Sequence, residues 1–215
     1  MAEYLQKARG LAAAADRKLL SFGFFSNKHE EAAELYESAA NQFKLAKAWQ
    51  EAGDVLVKLA DLSGGKLESK HDAAAALVEA AKAYGKLPDG AGSARALKCL
   101  RSAVSLYTEM GRLGMAARQL REAAEVAERA GERGDARLFY EQAADLFATD
   151  SAPAEANRCL LKVAQFAAEG DDFPRAIEIY EAVARASVDV SLVGVCVGCF
   201  GGGLGFRTRR SLWAL

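Results

Sequence analysis

Proline is scarce in this chain, with three residues in 215, so little interrupts a run of helices. Histidine is scarcer. His29 and His71 are the only two, and neither stands in an HExxH arrangement, so that common zinc-hydrolase signature is missing. His71 sits beside Asp72 at a helix start, where a capping role is ordinary. Charge bias is also missing. Lys and Arg number 28 and Asp and Glu 29, for a net charge of −1, which gives no bulk attraction to nucleic acid. Cysteine does not form a disulfide framework: Cys99, Cys159, Cys196 and Cys199 are too few and too spread. Cys196 and Cys199 make one CxxC with no second pair and no histidine, a weak zinc signal that reads best as incidental. Gly201, Gly202, Gly203 and Gly205 cluster without a following Lys-Ser/Thr, so they are not a phosphate loop. No set of residues suggests a nucleophile with its base or a metal with its ligands. Enzymatic activity, a metal and a cofactor are therefore not expected.

What the sequence does have is a repeat. From Ala40, equivalent positions follow at Ala60, Ala81, Val104, Ala124, Ala144, Ala164 and Ala184, about 20 residues apart. Eight residues before each lies an alanine: Ala32, Ala52, Ala73, Ala96, Ala116, Ala136, Ala156 and Ala176. Four before lie Tyr36, Leu56, Leu77, Leu100, Leu120, Tyr140, Leu160 and Tyr180. Three after lie Phe43, Ser63, Tyr84, Tyr107, Ala127, Phe147, Ala167 and Ser187. Offsets of −8, −4, 0 and +3 share one helical face. Each unit is thus one amphipathic helix and a short turn, and the alanines allow close antiparallel packing. Because each helix leans mainly on its neighbours, the spacing predicts an all-α, TPR-like right-handed superhelical solenoid of antiparallel helical hairpins.

Residues 2–20 read as a further helix, joined to the array by a loop from Ser21 to Asn27. Gly64-Gly65, Pro88-Asp89-Gly90, Gly111, Gly131, Asp150-Ser151-Ala152-Pro153 and Gly170-Asp171-Asp172 punctuate helix ends, whereas Gly53 sits inside a helical run. The register stops after Ser187. Two regions are therefore expected: a repeat domain over 1–187 and an irregular tail over 188–215. Within the tail, Val190 to Phe206 is uncharged but short and glycine-rich for a membrane anchor. The first residues, MAEYLQKARG, carry charge where a secretory signal needs an apolar run, so a cytoplasmic location is the default.

Two groups of residues invite a binding role. Phe22, Phe24 and Phe25 cluster in the first loop between Lys18 and Lys28, either as a buried plug or as an aromatic wedge for a lipid interface. Lys44, Lys47, Lys86, Arg112, Arg118, Arg158 and Lys162 recur in successive units. Singly these are solvated charges. Gathered on one face they would attract an acidic partner.

Several strings carry a resemblance: EAAELYESAANQFKLAKAWQEAG (31–53), SKHDAAAALVEAAKAY (69–84), KCLRSAVSLYTEMGRLGMAAR (98–118), FYEQAADLF (139–147), ANRCLLKVAQFAAE (156–169) and FPRAIEIYE (173–181). The chain resembles the alpha-SNAP family, the soluble NSF attachment proteins, over about residues 1–187. The resemblance implies a non-enzymatic adaptor in vesicle-mediated transport. Such adaptors bind assembled SNARE four-helix bundles and recruit the AAA+ ATPase NSF, which takes the bundle apart. It further implies that Lys44, Lys47, Lys86, Arg112, Arg118, Arg158 and Lys162 face the SNARE bundle. Phe22, Phe24 and Phe25 would attach the protein peripherally to a membrane. The family's C-terminal helices, with their acidic NSF-engaging end, have no counterpart after Ser187. The basic ending RTRRSLWAL is what a truncated or mis-spliced product would leave, and it implies weakened NSF stimulation. Without the resemblance, the same repeat pattern fits a general TPR-like scaffold holding a peptide.

Overall fold

The computed structural model describes residues 1–20, 27–88 and 90–199, with 187–199 given as helical backbone only. Among the described residues there are nine helices and no strand. They are α1 (Ala2–Leu20), α2 (Lys28–Leu45), α3 (Trp49–Gly65), α4 (Lys70–Tyr84), α5 (Gly90–Glu109), α6 (Leu113–Ala130), α7 (Arg133–Thr149), α8 (Pro153–Glu169) and α9 (Phe173–Cys199). Each packs chiefly on the helix before and after it, so the chain is the expected TPR-like solenoid.

The repeat accounts for the core. All eight alanines at the −8 position are buried. The residues four before and three after the reference are buried with them in most units, Leu100, Tyr107 and Phe147 among them. With no bulk at the crossing, two helix backbones approach and the neighbour's Leu, Tyr or Phe fills the remaining groove. The interior glycine follows the same logic. A Cβ on Gly53 would lie 2.5 Å from the Tyr84 ring, so α4 can lay that ring on α3 only because position 53 is bare. The Tyr84 hydroxyl then donates to Asp54 Oδ1 at 2.6 Å.

The turns repeat as closely as the core does. The carbonyls of Phe43, Tyr107, Ala127, Phe147 and Ala167 each accept the N–H of the residue five further on, at 2.8–3.0 Å. This is the closure of a Schellman motif, which needs a left-handed residue just before the donor. Gly111 and Gly131 supply it at two turns, but Lys47, Ser151 and Asp171 adopt φ of 56°, 57° and 61° at the others. Helix starts are set locally. Ser69 caps α4 by accepting from the Asp72 N–H, and Pro153 opens α8.

Long-range ion pairs show how the layers lie. Lys44–Glu79 joins α2 to α4, while Arg121–Glu155 and Lys162–Glu128 join α6 to α8. On the opposite face Lys58–Asp16 joins α3 to α1 and Arg175–Glu141 joins α9 to α7. Helices of equal parity are therefore side by side, and the solenoid has an even face and an odd face.

One boundary differs from expectation. An irregular segment is expected from residue 188, yet α9 stays helical through Cys199. The stretch 188–199 has two glycines and no proline. Two interior glycines cost about 1 kcal/mol each against alanine, which weakens a helix without forcing a break. Losing the small-residue register thus does not end the helix. Residues 200–215, with the glycine cluster and the basic ending, lie outside the described residues, as do Phe22, Phe24 and Phe25.

Candidate interaction surface

The seven basic residues fall into two groups by what they touch. Lys44 Nζ, in the last turn of α2, lies 2.8 Å from Glu79 Oε2 on α4. Lys162 lies 3.0 Å from Glu128 Oε1, and that carboxylate also accepts from the Tyr140 hydroxyl at 3.1 Å. Arg158 pairs with Glu155 one turn earlier on α8, at 2.8 Å. These three cations already have carboxylate partners. Lys47, Lys86, Arg112 and Arg118 are exposed and make no ion pair among the described residues. They are the cations left for a partner.

The structure does not gather all seven. Successive helices run in opposite directions, so alternate turns lie on opposite edges of the solenoid. Lys47 and Lys86 occupy turns on one edge, and Arg112 a turn on the other. Lys44, Arg118, Arg158 and Lys162 come from even helices between those edges.

Lys44 and Lys86 do meet, in a groove of about 330 Å³ between α2, α4 and α6. Leu100 and Val126 line it together with Trp49, Glu79, Lys82, Glu122 and Arg129. Lys86 Nζ stands 4.0 Å from the centroid of the Trp49 ring, a cation–π contact that holds the ammonium at the rim. Glu79 takes Lys44 on one oxygen and Lys82 on the other, at 2.8 and 3.0 Å. The hydrogen bond from Lys44, opposed by burial and helped by Lys82, holds the Glu79 carboxyl below its ordinary range. Its bond to Glu79 pushes the Lys82 ammonium above its ordinary range. Glu122 is different. Burial raises its pKa, Lys82 offsets that in part, and it has neither hydrogen bond nor ion pair among the described residues.

Trp49, Lys82, Glu122 and Arg129 were not singled out by sequence reasoning. One signal was available. Even helices adjoin two units apart, so residues about 35 apart can face each other, as Lys44 and Glu79 do. Trp49 and Lys86 meet through two turns on the same edge, which no helical period encodes.

Burial pushes the Cys99 and Cys159 thiols up to about 11, so they are core side chains and not nucleophiles. Among the described residues no group of three or more His, Cys, Asp or Glu is placed to hold a metal ion. Cys196 and Cys199 fall in the last turn of α9, where only backbone is described. Among the described residues no helix is long and apolar enough to cross a membrane.

Residues 6–198 match the family model described as soluble NSF attachment protein, SNAP. The chain belongs to the soluble NSF attachment protein family. The match runs beyond Ser187, where the resemblance was expected to end, and takes in nearly all of α9. The chain is similar to the alpha-soluble NSF attachment protein of Vitis vinifera, 36% identical over 212 residues, covering 94% of this chain and 72% of that one. It is 40% identical over 195 residues to the alpha-soluble NSF attachment protein of Mus musculus, covering 87% of this chain and 64% of the relative. The vesicular-fusion protein SEC17 of Komagataella phaffii is 37% identical over 199 residues, with 87% and 65% covered. The chain thus spans roughly two thirds of the length of these relatives. Members of this family are non-enzymatic attachment proteins. Solved structures agree on the fold alone. BtubC from P. vanneervenii superposes with a TM-score of 0.55 at 13% identity, covering 98% of this chain and 80% of that one. TPR-like repeats of a Podosopora anserina kinesin light chain give 0.52 at 18% identity, with 86% and 97% covered.

Proposed function

We propose that this protein is an adaptor of vesicle fusion that binds assembled SNARE four-helix bundles and brings them to the NSF ATPase. The observation that carries the reading is family membership across residues 6–198. The even face supports it chemically. It is long, built on rigid helices, and bears Lys47, Lys86 and Arg118 free of internal carboxylates on or beside it. A bundle of parallel helices with an acidic surface suits such a face better than a short peptide does, since contact is spread over several units. Lys44, Arg158 and Lys162 serve the same surface after exchanging or sharing their present partners. Arg112 acts from the opposite edge. Phe22, Phe24 and Phe25 form the membrane-attachment loop, which places the protein peripherally on a cytoplasmic membrane surface. The repeat domain over 1–187 carries these contacts.

Co-sedimentation of the purified chain with an assembled SNARE bundle, with and without NSF, tests this. Binding should fall steeply between about 50 and 300 mM salt, because the attraction is between exposed charges. The charge reversals Lys86→Glu and Arg118→Glu should each lower affinity by roughly 3- to 10-fold. Salt-insensitive binding, or binding equal to that of the unassembled helices, would sink the reading.

A further inference from the structure

The groove between α2, α4 and α6 holds charges of both signs, and they are unequally satisfied. Lys44 and Lys82 are both taken up by Glu79. Lys86 stands over Trp49 with no carboxylate. Arg129 bonds only its Nε–H to its own helix, at the Glu125 carbonyl, 3.2 Å away. Glu122 lines the same groove as these cations, half-buried alongside Leu100 and Val126, and neither Lys82 nor Arg129 reaches it as an ion pair. A groove that bound only acidic groups would have no use for a half-buried carboxylate in its lining. That carboxylate repels any acidic group that approaches and is itself short of a partner. The groove also has an aromatic and an arginine at its rim, the residue types that dominate binding energy at protein interfaces.

We infer that this groove reads a pair of charges on a partner helix: an acidic side chain between Lys86 and Arg129, and a basic side chain on Glu122. An acid and a base three or four residues apart on one helix present such a pair at a separation of about 5–6 Å. Lys44 and Lys82, both hydrogen-bonded to Glu79, form the wall of the groove, and the other three set its register. Glu122 thereby supplies register. A partner helix rotated or slid by one turn would put its acid against Glu122 and be rejected, whereas a uniformly basic face would accept any acidic surface. This inference rests on the reading of the even face as the SNARE-bundle surface.

The test is affinity of an assembled SNARE bundle for the parent chain, Glu122→Gln, Arg129→Gln and Lys86→Gln, at low salt. Glu122 has no internal partner and burial disfavours its charge, so Glu122→Gln should melt at or above the parent's temperature. Its affinity should fall roughly 3- to 10-fold, in the same direction as Arg129→Gln and Lys86→Gln. Unchanged or tighter binding by Glu122→Gln, with the two cation variants weakened, would overturn the inference and leave a plain cationic surface. No binding by the parent chain would overturn both this inference and the function it rests on. A second readout is pH. Glu79 and Lys82 on α4, Lys44 on α2, and Glu125 and Arg129 on α6 surround Glu122. Glu79 is held ionised to lower pH by Lys44, so Glu122 protonates first as pH falls. Parent affinity should therefore weaken from above the ordinary carboxylate range downward, and Glu122→Gln should lack that phase. Parallel pH curves for the two proteins would contradict the role.

Discussion

At the scale of single residues, burial in this fold is unforgiving because the helices nearly touch. Position 53 is the clearest case, where a methyl group would fall 2.5 Å from the Tyr84 ring. The ring cannot retreat without losing the hydroxyl's bond to Asp54. Gly53→Ala is favoured by helix propensity by about 1 kcal/mol. Overpacking works against it by roughly 1–3 kcal/mol, so the net change should be destabilising. Urea denaturation of Gly53→Ala against the parent decides the sign, and a stabilised variant would show that Tyr84 has room to move. Cys99 and Cys159 give a second prediction. Both are buried, with pKa pushed up to about 11, so an aromatic disulfide reagent at pH 8 should leave them unmodified in the folded chain and label them in denaturant. Rapid labelling of either one before unfolding would show that the unit around it opens locally.

At the scale of elements, the recurring device is the Schellman turn with its left-handed residue. Gly131 meets that demand at no steric cost, whereas Ser151 and Asp171 adopt it against their side chains. Ser151→Gly and Asp171→Gly should therefore each stabilise the solenoid by about 0.5–1 kcal/mol, and Gly131→Ala should destabilise it by about 1 kcal/mol. Thermal melts of the three variants check both directions at once. These turns also show where the sequence could be read and where it could not. The eight alanines specify the helices, their spacing and their buried faces, because one small side chain per crossing is a steric requirement that leaves a residue-level mark. Turns with Gly111 or Gly131 are equally visible. The turns at Asp150-Ser151-Ala152-Pro153 and Gly170-Asp171-Asp172 are visible too, through Pro153 and Gly170, though not which residue turns left-handed; the turn at Lys47 carries no such mark, since hydrogen bonding and packing there override a local preference. The same override carries α9 past Ser187. For the surface, the cations could be found one by one. Their division into paired and unpaired sets depends on which carboxylate faces them two helices away, and the Trp49–Lys86 contact depends on two turns sharing an edge.

At the scale of the whole molecule, stability is spread along the solenoid in similar local devices, and three of them use a tyrosine. Tyr36 donates to Asp16 across α1 and α2, Tyr84 to Asp54 across α3 and α4, and Tyr140 to Glu128 across α6 and α7. In each case burial, followed by the hydrogen bond to the carboxylate, raises the phenol pKa well above its ordinary 10.0. The sign follows from linkage. The folded chain keeps the neutral phenol at a pH where the unfolded chain has released its proton, so the contribution is complete below pH 10. It is lost as pH rises from 10 toward the folded-state values. Bond-accepting carboxylates act in the opposite range. Asp16 and Glu79 are held below their ordinary values, by Tyr36 and by Lys44 respectively, so their contributions persist above about pH 4 and fade as pH drops further. Melting temperature against pH should therefore be flat from about pH 6 to 9 and fall on both sides. Replacing Tyr36, Tyr84 and Tyr140 by Phe together should lower the plateau, because three carboxylates lose a donor, and should remove most of the alkaline decline. A variant with the parent's full alkaline decline would place the pH-sensitive groups elsewhere. A decline restored in proportion as each tyrosine is put back singly would show that the three sites act independently, as expected when each helix leans only on its neighbours.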